Sequence, residues 1–231
     1  MNKKSAARLL DSCGLLNKEF TYFGYLPFPS MQLSYVPPPV NISFAAWNKY
    51  TSNINSDFYK EDPKLVVVEP ATIDNKIFDQ DDPLTQQTLR TFFKVHSNCG
   101  RYTILTKLTK PAVETSMAGE VSYGKFEENI TIDSNKKPLH ITIDLNGTNL
   151  QKLLWLVFKP PIYSIKFIGI NGSIVKRLNS STSSMGFYVG DNYYKDKLYT
   201  LEDLMPFKSF ILYCEAGLFG CPDNFNYSLE R

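Results

Sequence analysis

Histidine is nearly absent from this chain: His96 and His140 are the only two in 231 residues. Acid–base catalysis near neutral pH relies most often on imidazole, so most enzyme schemes would have to be built around one of these two. Cysteine is also sparse. Cys13, Cys99, Cys214 and Cys221 lack the dense spacing of a disulfide scaffold, which reads as a chain kept in a reducing compartment. The longest apolar run, Leu153 to Phe158, is far below the roughly 20 residues of a membrane-spanning helix, so no membrane span is expected.

Phosphate-cradling glycine loops are missing too. Neither GxGxxG nor GxxxxGK[ST] occurs, so no small-molecule cofactor of the nucleotide type is expected. Charge of one sign is not in excess: 25 basic against 23 acidic side chains leave +2, which predicts weak contact with nucleic acid or none. Lys3, Lys4 and Arg8 open the chain, but Asp11 and Ser12 interrupt the apolar residues behind them. A cleaved signal peptide is therefore not expected, and the expected location is intracellular or within a virion. Asn-x-Ser/Thr sequons at Asn41, Asn129, Asn146, Asn171, Asn179 and Asn226 read as unglycosylated on the same ground.

Aromatic residues, by contrast, are abundant at 14%, within an apolar fraction of 43% and a charged fraction of 21%. That composition buries a core, and its Tyr and Phe favour sheets and interfaces. From Phe20 to Val40 the chain alternates aromatics with Pro27, Pro29 and the Pro37–Pro39 run, which forbids a helix and favours extended backbone. Phe20, Tyr22, Phe23, Tyr25, Leu26, Phe28, Met31, Leu33, Tyr35 and Val36 make it too apolar for a solvated linker. Its cover is either its own domain or a neighbouring subunit, and the second is the basis of an assembly hypothesis in which these ten residues form the interface.

The expected organisation is an arm at 1–44, a short amphipathic helix at 3–16 followed by the extended segment, and a body at 45–231. A short helix is predicted at 44–56, a strand at 65–68, and a helix at 83–90 with Asp82 as its cap and Pro83 at its first position. Strands are predicted at 91–97, 101–108, 128–133, 139–145, 152–158, 163–170, 173–178, 185–189 and 208–214. Asn171-Gly172 is placed at the centre of a tight hairpin turn, and a helical turn is placed between Thr200 and Pro206. The fold class is all-β with a few short helices: a β-sandwich, jelly-roll-like or related.

Candidate chemistry is thin. His96, Cys99, Cys214 and Cys221 are four potential zinc ligands, but the last two are spaced too widely for a zinc ribbon, and buried small side chains explain the cysteines better. At most, Cys214 and Cys221 close a local disulfide. Asp79, Asp81 and Asp82 lack a calcium-loop pattern, and Glu127, Glu128, Asp133 and Asp144 read as a solvated sheet face. Met185 to Val189 has the aromatic pattern of an RNA-binding strand without its basic residue. No catalytic, cofactor or metal residue is assigned.

The architecture points to a non-enzymatic structural protein, a capsid or minor capsid subunit of a virion shell, whose partners are copies of itself or other shell proteins. Two other classes are carried. One is a carbohydrate- or protein-binding module using Tyr188, Tyr193, Tyr194 and Tyr199, and the other an uncharacterised hydrolase.

Overall fold

Three consecutive valines flanked by turns build a strand that is buried on both faces. In a computed structural model, Leu65–Val68 forms that strand, β3, and Val66, Val67 and Val68 are fully buried. The structure describes residues 11, 13–15, 18–24, 35–40, 49–69, 77, 80–100, 102–112, 119–132, 139–145, 147–157, 161–169, 172–189, 207–215 and 220–230. Two units result, Met1–Ala71 with Asp81–Glu114, and Thr72–Gln80 with Thr115–Arg231.

In the first unit β3 is the middle of a five-stranded sheet. β1 (Phe20–Phe23) lies parallel to it on one side, and β2 (Tyr35–Val36) is parallel to β1 beyond. On the other side β5 (Tyr102–Lys107) runs antiparallel to β3, and β4 (Phe93–Cys99) runs antiparallel to β5. Alternation along β1 sends Phe20 and Tyr22 into one core, with Leu15, Val67, Tyr102 and Ile104. It sends Phe23 the other way, edge-on to Tyr59 at 6.0 Å. Tyr59 belongs to α1 (Lys49–Glu61), which is joined to α2 (Pro83–Phe92) by a buried Ser56–Thr88 hydrogen bond of 2.7 Å. All four β1 side chains are buried.

The start of the expected arm is thus covered by its own chain. The helix expected at 44–56 is α1, displaced towards the C-terminus, with residues 41–48 outside the described set. The expected helix at 3–16 and the helical turn before Pro206 also fall outside it, apart from residues 11 and 13–15. The cysteines are a correction. Cys13–Cys99 and Cys214–Cys221 are both disulfides, where the sequence reading expects thiols with at most a local Cys214–Cys221 bridge. The first joins residues 86 positions apart, a pairing that linear spacing does not reveal.

In the second unit two four-stranded antiparallel sheets enclose one core. One orders β10 (Gly172–Leu178), β9 (Ile162–Gly169), β12 (Ser209–Glu215) and β7 (Asn129–Thr131). The other orders β11 (Phe187–Val189), β8 (Leu139–Asp144), β13 (Phe225–Glu230) and β6 (Val121–Gly124). Ile165, Phe167, Phe210 and Leu212 from the first meet Ile141, Ile143, Phe187 and Phe225 from the second, and Phe167 stacks on Phe207 at 4.7 Å. This is the mainly β, sandwich-type body that the alternating strands imply.

Two local expectations change. Residues 149–157 are a helix, α3, where a strand is expected at 152–158. Its start is a reciprocal cap: Thr148 Oγ1 accepts from the Gln151 amide at 3.2 Å, and Gln151 Oε1 accepts from the Thr148 amide at 2.9 Å. The apolar run that follows fits either structure by periodicity, and the cap decides it. The β9–β10 hairpin forms, but Gly172 pairs with Gly169, so the turn is centred one residue earlier than Asn171-Gly172. Gly172 carries the positive φ, 123°.

Truncating β1 should therefore act as a core deletion. Phe20→Ala should cost about 3–5 kcal/mol, read by denaturant unfolding at a concentration where the chain is monomeric. An unchanged midpoint would mean that Phe20 is not buried in its own sheet.

Candidate functional site

In β8, Ile141 and Ile143 fill the core, so His140, Thr142 and Asp144 lie on the sheet's outer face. Strand register extends this into rows. Tyr188, His140 and Glu230 form one row; Thr142, Ser228 and Val121 the next; Asp144, Asn226 and Tyr123 the third. In the first row His140 Nδ1 lies 3.0 Å from Glu230 Oε2, and the Tyr188 ring is tilted against the imidazole at 4.9 Å.

Gly186, at φ 80°, closes over this row so tightly that a Cβ there would come within 2.1 Å of His140 Cε1. Only glycine combines that backbone conformation with that approach. A carboxylate on one ring nitrogen fixes the orientation of the imidazole, and with a half-exposed tyrosine alongside, the row offers an aromatic face and hydrogen-bonding groups. The imidazole itself is buried, 9% exposed, so Tyr188 and Glu230 are the half-exposed members of the row.

The other sequence candidates are dispersed. His96 is exposed on β4. Cys99 is tied to Cys13, and Cys214 to Cys221, so the four-ligand zinc set is not assembled from free thiols. Among the described residues no group of three or more His, Cys, Asp or Glu is placed to hold a metal. Glu128 accepts from the Lys125 amide at 3.1 Å, closing a turn, and Asp144 is exposed. Asp79, Asp133, Tyr193, Tyr194 and Tyr199 lie outside the described residues. Of the Met185–Val189 segment, Phe187 and Val189 are core residues and Tyr188 alone of these three points outward.

The ten expected interface residues separate similarly. Phe20, Tyr22 and Phe23 are buried in the first unit, and the Tyr22 hydroxyl donates to the Glu69 carboxylate. Tyr35 and Val36 form β2, with Val36 half-buried. Tyr25, Leu26, Phe28, Met31 and Leu33 lie outside the described residues. A cleft of about 610 Å³ in the first unit runs between β1 and the end of α1, lined in part by Lys18, Glu19, Phe58, Asp62 and Lys64. Among the described residues its lining holds neither histidine nor cysteine.

Sequence reasoning missed a buried polar cluster in the first unit. Asp82 precedes α2 in a left-handed conformation, φ 111°, and its carboxylate interacts more strongly with Ser52 and Asn55 of α1 than with Thr85 in the first turn of α2. Pro83 does open the helix as expected. The Asp82 carboxylate is held by α1: Ser52 Oγ donates to Oδ1 at 2.5 Å and Asn55 Nδ2 to Oδ2 at 2.8 Å. Asn55 Nδ2 also reaches the Val40 carbonyl at 2.8 Å, and its Oδ1 accepts from the Val40 amide at 2.9 Å. The segment leading into α1, α1 itself and the start of α2 are thus pinned at one carboxylate. Burial pushes that carboxyl up to about 6, against the opposing pull of the Ser52 and Asn55 bonds.

Because the folded protein binds this proton more tightly than the unfolded chain, the group's contribution to stability is complete below about 3.8 and is lost as pH rises through about 6. The difference of about 2 pKa units corresponds to about 3 kcal/mol. Asp82→Asn, which does not titrate, should flatten that part of the stability–pH curve measured by urea unfolding. A variant with the same slope as the parent would place the proton elsewhere.

Compared with known proteins, the chain matches no family model, no curated sequence and no solved structure.

Proposed function

We propose that this protein is a non-enzymatic structural subunit that self-associates through its second unit, and that a virion shell is the assembly its architecture suits best. The observation that supports this is the state of β6. It is the outermost described strand of its sheet, and its outward side chains are apolar: Val121 is 61% exposed and Tyr123 78% exposed. Natural sheets usually protect such an edge with lysine, proline or a covering element, and an unprotected apolar edge is where a second chain adds.

Gly124 strengthens the reading from the opposite face, since a Cβ there would meet Phe225 at 2.7 Å, so β6 is held tightly to its own sandwich while its far edge is free to pair among the described strands. Pairing of two β6 strands across a two-fold axis would make one continuous sheet, with the exposed valine and tyrosine of each copy beside those of the other. The partners proposed are copies of this chain or other shell proteins, and the arm's contribution to them falls to the residues beyond β1. With Phe20, Tyr22 and Phe23 covered in their own sheet, interface residues are sought first on β6.

Light scattering after size exclusion tests this. The parent chain should associate at high concentration, and Val121→Lys with Tyr123→Lys should weaken that association at least tenfold with no loss of melting temperature. A monomeric parent, or association indifferent to both lysines, would remove the proposal.

A second reading, a ligand-binding module, is favoured by the Tyr188–His140–Glu230 row. Its expected outcome is glycan or peptide binding that falls at least tenfold in Tyr188→Ala, measured by calorimetry. Binding that survives this change would place the ligand elsewhere.

A further inference from the structure

We infer that Asn129 is an acceptor for N-linked glycan. Three of the six sequons have their asparagine among the described residues, and the structure sorts them. In Asn129-Ile130-Thr131 the strand alternation of β7 turns Ile130 into the core, where it is 7% exposed, and leaves Asn129 and Thr131 both exposed on the same outer face. The side chain that takes the sugar and the hydroxyl that completes the sequon therefore stand together in solvent. β7 is also the last described strand of its sheet.

The other two are less open. In Asn226-Tyr227-Ser228 the Asn226 Oδ1 is buried and Ser228 is only 8% exposed. In Asn179-Ser180-Ser181 the asparagine is half-buried, where Asn129 is exposed.

The compartment follows from a separate observation. All four cysteines are paired, Cys13 with Cys99 and Cys214 with Cys221, and closed disulfides belong to the oxidising compartments, such as the lumen in which sequons are glycosylated. This reverses the expectation of bare sequons in a reducing setting. The donor is a lipid-pyrophosphate-linked oligosaccharide. Asn129 Nδ2 forms a bond to the anomeric carbon, the bond from that carbon to the phosphate oxygen breaks, the lipid pyrophosphate leaves with the electron pair, and one amide proton is released. A glycan there also sets a bulky, solvated group on an edge strand, which disfavours pairing of β7 with another chain.

Secretion of the full chain from a eukaryotic host behind a cleavable leader tests the inference. Deglycosylation with a peptide N-glycosidase converts an occupied asparagine to aspartate, read by peptide mass spectrometry. The expected result is conversion at residue 129 and none at 226, with cysteines that resist alkylation until reduced. Asn129→Gln and Thr131→Ala should each remove one glycan from the intact mass, while Thr131→Ser should keep it. Unmodified Asn129 in folded, disulfide-bonded protein would overturn the inference, as would cysteines that alkylate freely in the secreted material.

Discussion

Parallel pairing of Phe20–Phe23 with Leu65–Val68 is the constraint on which the rest of the account turns. It brings a stretch that is greasy on both faces into a sheet where Phe20 and Tyr22 pack with Leu15, Tyr102 and Ile104 on one face and Phe23 meets Tyr59 of α1 on the other. Burial of large aromatic side chains is the strongest favourable term available to such a short segment. Once that area is used within the chain, those residues have nothing left to offer a neighbour. The search for an interface then passes to apolar groups that the fold leaves outside.

The same logic organises the second unit from the opposite direction. Its two sheets bury one side of every described strand against the shared core. Along β8 the other side is polar, with His140 buried under Gly186, Thr142 half-buried and Asp144 exposed. β6 departs from this rule with Val121 and Tyr123, and β7 keeps it with Asn129 and Thr131. Two edge strands of one sandwich thus carry different chemistry: β6 presents exposed apolar side chains, and β7 exposed polar ones. An assembling subunit has use for both, because growth in a defined direction requires that some edges be closed.

How much of this was legible beforehand depended on whether the signal was local. Alternation in Leu139–Asp144 and the β9–β10 hairpin were readable because period-two patterning and a turn glycine act within a few residues. The helix at 149–157 carried a readable cap in Thr148 and Gln151 that the apolar run behind it obscured. Strands β6 and β13 gave weaker signals, since VSYG and FNYSLE are short and mixed in polarity, and they are strands because they pair with each other and β13 with β8. The long-range features were not legible at all. Cys13 finds Cys99 and Ser52 finds Asp82 only after the first unit has folded, and no spacing rule in a single sequence encodes either meeting.

Amide hydrogen exchange followed as a function of protein concentration tests the central claim most directly, because it reads β1 and β6 in one sample. The amides of Phe20–Phe23 should be protected even at the lowest concentration, where the chain is single, and the amides of Val121–Gly124 that do not bond to β13 should gain protection only as association sets in. Rapid exchange in β1 that slows with concentration, alongside an unchanging β6, would contradict the account and return the aromatic segment to the role of docking arm.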